Sequence, residues 1–310
     1  PEAGSLYRNA FVHRRVLAYR ALGIGVDVVW VSEHERPRSF EFEGVTVQVC
    51  DPASLAATLR FSGHVAVAVH TLDPVLWRAV GDAAAARRVV VWLHGAEIQP
   101  WTRRAFNYED EAALAEARAA SEARMAFWRS LLADPPAGLH LVFVSRGFAA
   151  DAWEDLGMRL PEAQWSVIHN PVDTDLFGGP EKPAGQRFRV LSVRPHASRI
   201  YANDLVAAAI RELSVHPLFP RLAFTLVGDG PRWEQDFAGL EAFPNVELRR
   251  GFLRQEEIAS LHRSHGVFLV PTRGDTQGVS RDEAMASGLV PVTCDAGAVA
   301  EFVGPACGGV

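Results

Sequence analysis

The sequence predicts an α/β protein made of two doubly wound domains that face each other across a cleft. Three observations carry that expectation. Short apolar runs alternate with longer amphipathic stretches, the pattern of a parallel sheet with crossover helices. The alternation runs twice, interrupted by NPVDTDLFGGPEKPAGQ (170–186), a segment rich in Pro, Gly and Asp that has little periodicity and reads as a linker. A chain of 310 residues is also long enough for two domains, each with its own core.

The elements follow in order. FVHRRVLAYRALG (11–23) predicts a helix stopped by Gly23, and EDEAALAEARAASEARMAFWRSLL (109–132) a longer one. GVDVVWVS (25–32), HVAVAVH (64–70), RVVVWLHG (88–95) and HLVFVS (140–145) predict buried strands of one sheet. Beyond the linker, FRVLSVR (188–194), LAFTLVGDG (222–230), NVELRRGF (245–252), GVFLVPT (266–272) and LVPVTC (289–294) predict a second set of strands. Helices separate them at YANDLVAAAIRELS (201–214), QEEIASLHRS (255–264) and DEAMASG (282–288). The expected organisation is a Rossmann-like domain over 1–172, a linker over 173–186 and a second Rossmann-like domain over 187–310. The chain opens on a loop running into a helix and stops soon after a strand and a helix start. The first strand and the C-terminal end of this architecture are therefore expected to be missing.

Composition narrows the class. With 48% hydrophobic and 22% charged residues the chain reads as globular. A net charge of −6 argues against a general nucleic-acid binder. Lys182 is the single lysine, so nearly all positive charge is guanidinium. Cys50, Cys294 and Cys307 are few, odd in number and far apart, which excludes a zinc spacing or redox pair and suits a reducing compartment. No apolar run reaches the length of a membrane span and no signal peptide is visible. A soluble, cytoplasmic protein is expected, with peripheral membrane contact left open.

In doubly wound sheets ligands sit beyond the carboxyl ends of the strands, and each candidate motif falls at such an end. RGDTQGVSRDEAMASGLVPVT (273–293) places Asp275 and Glu283 on either side of Gly278 and Ser280, where a helix begins. A helix N-terminus presents free N–H groups and the positive end of the dipole, so it attracts phosphate or hydroxyl-rich ligands. Glu283, three residues after Ser280, also fits a capping box. That alternative accounts for Glu283 alone and leaves Asp275 and the TQGV turn unexplained.

This segment resembles the retaining glycosyltransferases of family 4, whose fold is the two-domain GT-B type. Their signature reads E-G-F-G-L-P-x-L-E-A-M-A-x-G-x-P-V, and this chain reads D-T-Q-G-V-S-R-D-E-A-M-A-S-G-L-V-P-V. The resemblance implies that Glu283 binds the ribose hydroxyls of a sugar nucleotide and that Asp275 holds hydroxyls of the transferred sugar. The backbone of Gln277, Gly278, Val279 and Ser280 would face sugar and phosphate. Asp275 stands where the family has Glu, and Gln277 and Ser280 replace Phe and Pro. The shorter carboxylate bears on sugar choice.

The resemblance extends over most of the chain. SVRPHASRI (192–200) is similar to V-G-R-L-x-x-x-K-G, with Arg194 on the arginine and Arg199 on the lysine. It implies a two-cation clamp on the leaving diphosphate, where charge develops as the glycosidic bond breaks. Arginine grips phosphate bidentately, whereas lysine acts as a point charge. The alternative is a solvated basic loop. LVGDGP (226–231) is similar to V-G-x-G-P, where Gly228 and Gly230 would let the backbone approach the nucleotide. VIHNPVDTDLF (167–177) and DAGAVAEF (295–302) resemble V-I-x-N-G-V-D-x-x-x-F and G-G-x-x-E.

In the first domain, WLHGAEIQPW (92–101) carries His94 at a strand end. The comparable family histidine lies near the anomeric carbon and is linked to catalysis, although a lone histidine is more often structural. PEAGS resembles the family's first loop, with Gly4 near the donor phosphates. Family likeness also puts the acceptor on the first domain. Asp173-Thr174-Asp175 spells the D-x-D that single-domain transferases use to hold a metal, but it lies in the linker, where a turn aspartate is the simpler reading. The function implied is metal-independent, retaining transfer of a sugar from a nucleotide-sugar donor to a glycan, lipid or small-molecule acceptor. No cofactor besides the donor co-substrate is expected. A nucleotide-sugar epimerase or hydrolase, or a non-catalytic nucleotide-sugar-binding protein, are the alternatives.

Overall fold

The computed structural model describes residues 10–304 and residue 307. The chain divides into two compact units, Val12–Arg103 with Asp110–His169, and Arg104–Glu109 with the chain from Asn170 onward.

The first unit begins with α1 (Ala10–Ala21), stopped by Gly23, whose φ is 77° and whose N–H meets the Arg20 carbonyl at 2.9 Å. Then come β1 (Val28–Val31), β2 (Arg38–Phe42) and β3 (Val45–Cys50). They are followed by α2 (Pro52–Phe61), β4 (Ala66–His70), α3 (Pro74–Val80) and β5 (Arg88–Leu93). The unit closes with α4 (Glu111–Ala133), β6 (Leu139–Phe143), α5 (Arg146–Leu156) and β7 (Trp165–Val167). Strands β4 to β7 form a parallel sheet in sequence order. Its middle is apolar on both faces, with Val89, Val91, Leu93, Leu139, Leu141 and Phe143 fully buried. Helix starts are fixed locally: Asp51, Asp73, Asp110 and Ser145 each accept a backbone N–H in the first turn of the helix that follows.

One strand is not where the sequence predicts it. Residues 28–31 do not join the other three strands but pair along their whole length with Val47–Cys50, in a separate sheet ordered β1-β3-β2. The cause is the hairpin β2–β3, which turns at Glu43-Gly44. Both turn residues have positive φ (45° and 75°), the two-residue geometry that matches strand twist.

In the second unit the predicted linker is partly structured. It contains α6 (Thr174–Phe177), capped by Asp173, and Phe177 is buried with Leu191 and Phe268. Lys182 Nζ donates to the His262 carbonyl at 2.6 Å. The unit continues through β8 (Arg189–Val193), α7 (Asn203–Leu213), β9 (Ala223–Gly228), α8 (Trp233–Phe237) and β10 (Val246–Arg250). It ends with α9 (Gln255–Ser264), β11 (Val267–Leu269), α10 (Val279–Ala286), β12 (Val290–Val292) and α11 (Val299–Phe302). All five strands are parallel, in the order β10-β9-β8-β11-β12. The order reverses between β8 and β11, and in doubly wound sheets ligands bind outside the carboxyl ends at that reversal.

Candidate functional site

Arg194 immediately follows β8, at this reversal. It is buried, and its N–H donates to the Val227 carbonyl at 2.9 Å. Its guanidinium lies over Tyr201, 5.2 Å from the ring centroid, and Nη1 reaches Ser280 Oγ at 3.4 Å. Nε is buried and has no hydrogen-bond partner among the described residues. A basic strand end and the first turn of α10, far apart in sequence, thus meet. Arg199 begins a short helical turn and is half-buried. Its Nη1 stands 3.9 Å from the Glu109 carboxylate, which Arg232 approaches at 3.2 Å. The Arg199 carbonyl accepts from Arg273, which grips Asp204 through two bonds of 2.7 and 2.6 Å.

Gly228 and Gly230 are required by the protein itself. A Cβ on Gly228 would sit 1.9 Å from the Arg194 carbonyl oxygen, and one on Gly230 (φ 146°) 2.5 Å from the His196 carbonyl carbon. The close approach is therefore between the end of β9 and the loop after β8. These glycines seat the Arg194 loop, which accounts for both without a nucleotide.

The acidic turn is densely connected. Asp275 Oδ1 accepts the Gln277 N–H at 3.2 Å, and the Asp275 carbonyl accepts the Ala298 N–H at 2.8 Å. Gly297 lets that second loop ride over Asp275, since its Cβ would fall 2.4 Å from the Asp275 carbonyl oxygen. Gly278 (φ 86°) precedes α10, where a Cβ would meet Asp275 Oδ2 at 2.8 Å and Arg281 Nη1 at 2.9 Å. Val279 and Ser280 open the helix and Glu283 is buried in its second turn. Ser280 lies inside α10 and not at its cap, so the capping box does not form. Gln277 is buried, and its side chain is committed to Asn170 and Asp282.

Sequence reasoning missed Arg281 and Asp282, which support this turn from below. Arg281 is 2% exposed, donates through Nε and Nη2 to Asp282 Oδ1 and through Nη2 to the Gln277 carbonyl, and lies over Phe302. Burial pushes the Asp282 carboxyl up, against the Arg281 charge that lowers it. An Arg-Asp pair in a first helical turn reads as solvated, and nothing local marks it as buried. Asp173, in the D-x-D stretch, accepts the Leu176 N–H at 3.1 Å as the cap of α6.

In the first unit, His94 follows β5 and its N–H donates to the Glu97 carboxylate. Its Nε2 is 2.9 Å from Nδ1 of His70, the last residue of the neighbouring strand β4. The two rings stack, with centroids 5.2 Å apart. Burial pushes His70 down to about 3 and His94 to about 4, with the Arg15 charge adding to both and His94 adding to His70. The pair is therefore neutral at pH 7 and shares one proton between the facing nitrogens. Gly4 lies outside the described residues.

Among the described residues no helix is long and apolar enough to cross a membrane. Residues 188–309 match the family described as Glycosyl transferases group 1. The sulfoquinovosyl transferase SQD2 of Arabidopsis thaliana is 31% identical over 147 residues, 45% of this chain and 28% of that one. The chain thus spans less than a third of that relative. Among solved structures, the sucrose-phosphate synthase of Thermosynechococcus elongatus superposes with a TM-score of 0.67 at 17% identity, covering 95% of this chain and 77% of the other. An E. coli structure titled trehalose-6-phosphate, bound with UDP-2-fluoro glucose, gives 0.63 at 13% identity over 97% and 83%. These likenesses show the α/β fold of two Rossmann-like units, as in GT-B proteins. The family matched over 188–309 and the 31%-identical relative are both transferases of sugars by their descriptions.

Proposed function

We propose that the protein is a retaining, metal-independent glycosyltransferase of family 4 that moves a sugar from a nucleotide-sugar donor to an acceptor, in a cytoplasmic setting. The observation that carries this reading is the approach of Arg194 to Ser280 at the sheet reversal. It joins a buried guanidinium with an unpaired Nε to the start of α10, and both favour an anion. Arg194 and Arg199 would hold the diphosphate, Glu283 the ribose and Asp275 the transferred sugar, while Gly228 and Gly230 shape the loop behind them. The bond between the anomeric carbon and the phosphate oxygen breaks as the acceptor oxygen bonds that carbon on the same face. The acceptor proton passes to the departing phosphate, so no protein nucleophile is needed and the protein positions groups and stabilises charge. By the family resemblance His94, held neutral at pH 7 by burial, would act as a hydrogen-bonding group and not as a charged one. The similar structure bound with UDP-2-fluoro glucose supports a sugar-nucleotide donor.

Thermal unfolding with UDP-, GDP- and ADP-sugars in EDTA tests the reading. A donor that binds only the folded protein stabilises it by about 2.7 kcal/mol at a hundredfold excess over Kd. One of the three is expected to raise Tm in the native chain and not in Arg194→Ala, and the product anomer should match the donor by NMR. An inverted product, turnover that needs added Mn²⁺, or no Tm response to any donor overturns it.

A further inference from the structure

Arg281 lies buried beneath the acidic turn and is tied to the frame of that turn. Its Nε and Nη2 donate to Asp282 Oδ1 at 3.1 and 2.8 Å, and Nη2 also donates to the Gln277 carbonyl. The guanidinium lies over Phe302, 5.0 Å from the ring centroid. That leaves Nη1, which is buried and has no hydrogen-bond partner among the described residues. A guanidinium carries five N–H donors, and a buried one left unpaired is costly.

Gly278 shows where Nη1 stands. A Cβ at that position would meet Asp275 Oδ2 at 2.8 Å and Arg281 Nη1 at 2.9 Å. The carboxylate oxygen and the guanidinium nitrogen therefore border one small space, which glycine leaves open. Asp275 Oδ1 is already held by the Gln277 N–H, so Oδ2 is the oxygen left for Nη1 to steady. The charges agree with that placement. Burial pushes the Asp282 carboxyl up, the Arg281 charge lowers it, and the Asp275 charge adds to the rise. One guanidinium thus serves two carboxylates, bonded to one and turned by its remaining nitrogen toward the other.

We propose that Arg281 is a positioning residue for Asp275. Nη1 steadies Oδ2 as the Gln277 N–H steadies Oδ1, and the carboxylate keeps one orientation toward the hydroxyls of the transferred sugar. This rests on the role that the transfer reading gives Asp275. Misplacing a positioned group by about 1 Å can cost about a hundredfold in rate. Loss of Arg281 therefore falls on turnover and spares the nucleotide, which Glu283, Arg194 and Arg199 hold.

The test combines Arg281→Met with Asp282→Leu, since removing both partners leaves neither charge buried without its counterion. The probes are whichever of UDP-, GDP- and ADP-glucose raises Tm, and its free nucleoside diphosphate. Release of the diphosphate with water as acceptor gives kcat, and calorimetry gives the affinity for the free diphosphate. Both are measured on the native chain, the paired variant, Asp275→Asn and all three changes together. The paired variant is expected to lower kcat about tenfold or more, the worth of a hydrogen bond between charged groups, with diphosphate affinity unchanged. In the Asp275→Asn background the same two changes should cost little further, because they act through one carboxylate. Arg281→Lys keeps a cation beneath Gly278 and should fall between.

Native kcat in the paired variant overturns the proposal, as do equal losses with and without the Asp275 carboxylate. Diphosphate affinity that falls as far as kcat marks a merely structural role in α10 and overturns it too. Should the paired variant not fold, that last comparison on Arg281→Lys decides in its place. Each of these outcomes, with a native chain that turns the donor over, leaves the transfer reading standing. A native chain that binds and turns over none of the three donors overturns both.

Discussion

Gln277 closes two hydrogen bonds around the backbone of Asn170: its Oε1 accepts the Asn170 N–H at 2.7 Å, and its Nε2 donates to the Asn170 carbonyl at 3.0 Å. The two residues are 107 positions apart and both are buried. A side-chain amide here substitutes for a strand partner, and it fixes the segment entering the second unit to the turn that carries Asp275. Removing it leaves two buried backbone groups unpaired, each costing about 1–3 kcal/mol. Gln277→Ala should therefore lower the urea midpoint clearly. Gln277→Glu, which keeps the acceptor but sets a buried carboxylate against the Asn170 carbonyl and Asp282, should lower it at least as far. A midpoint unchanged in Gln277→Ala would remove this residue from the fold's supports.

Gly228 gives a second test. A methyl group there meets the Arg194 carbonyl oxygen at 1.9 Å, a backbone atom that cannot rotate away. Overpacking typically costs about 1–3 kcal/mol, and here the displaced loop carries Arg194. Gly228→Ala should reduce both stability and nucleotide affinity. Gly179, where an added Cβ meets nothing within 4 Å, should accept alanine with neither effect. Unfolding curves and nucleotide titrations on the two variants separate loop displacement from general destabilisation.

Asp275 and Glu283 should fail differently. Asp275 Oδ1 accepts a backbone N–H, a bond that asparagine preserves, so Asp275→Asn should fold normally. It should leave free nucleotide binding nearly intact and lower turnover about ten- to a hundredfold, the worth of a hydrogen bond to a charged group. Glu283→Gln should weaken nucleotide and nucleotide sugar by similar factors. Titrating each variant with both ligands decides the matter. Nucleotide binding damaged as badly by Asp275→Asn as by Glu283→Gln would end this division of labour.

The strands were legible because buried parallel strands are short apolar runs, and FRVLSVR, LAFTLVGDG and GVFLVPT lie within a few residues of the observed strands. The hairpin at 38–50 was not. RSFEF and VTVQVC alternate apolar with polar because one face is open, as the burial of Val45, Val47 and Val49 against exposed Thr46 and Gln48 shows. A search for continuous runs passes over such strands. At the site, side-chain types and their spacing could be read, whereas partners could not. Gln277 looks like a polar loop residue until Asn170 is set beside it, and the close neighbour of Gly228 comes from another strand.

Acid should destabilise the fold over a defined window. His70 and His262 are pushed down to about 3 and His94 to about 4, in each case chiefly by burial. Unfolded histidine titrates near about 6.5. Between those values the unfolded chain binds more protons, so stability falls as pH drops from about 6.5 towards 4 and is fully present above that window. Thermal unfolding across pH 4–8 should show this decline, and His262→Gln should flatten part of it. A Tm independent of pH down to 4 would contradict the neutral, buried state of these rings.

The sheet order has a consequence for synthesis. Val190 of β8 pairs with Phe224 of β9 and with Val267 of β11, more than twice as far along the chain. A chain emerging from the ribosome therefore holds Arg194, Arg199 and their glycine-lined loop well before the turn with Asp275 and Glu283 exists. Until β11 enters beside β8, Arg194 has no Ser280 to meet, and a nascent chain stalled short of that point carries only the cationic half of the site.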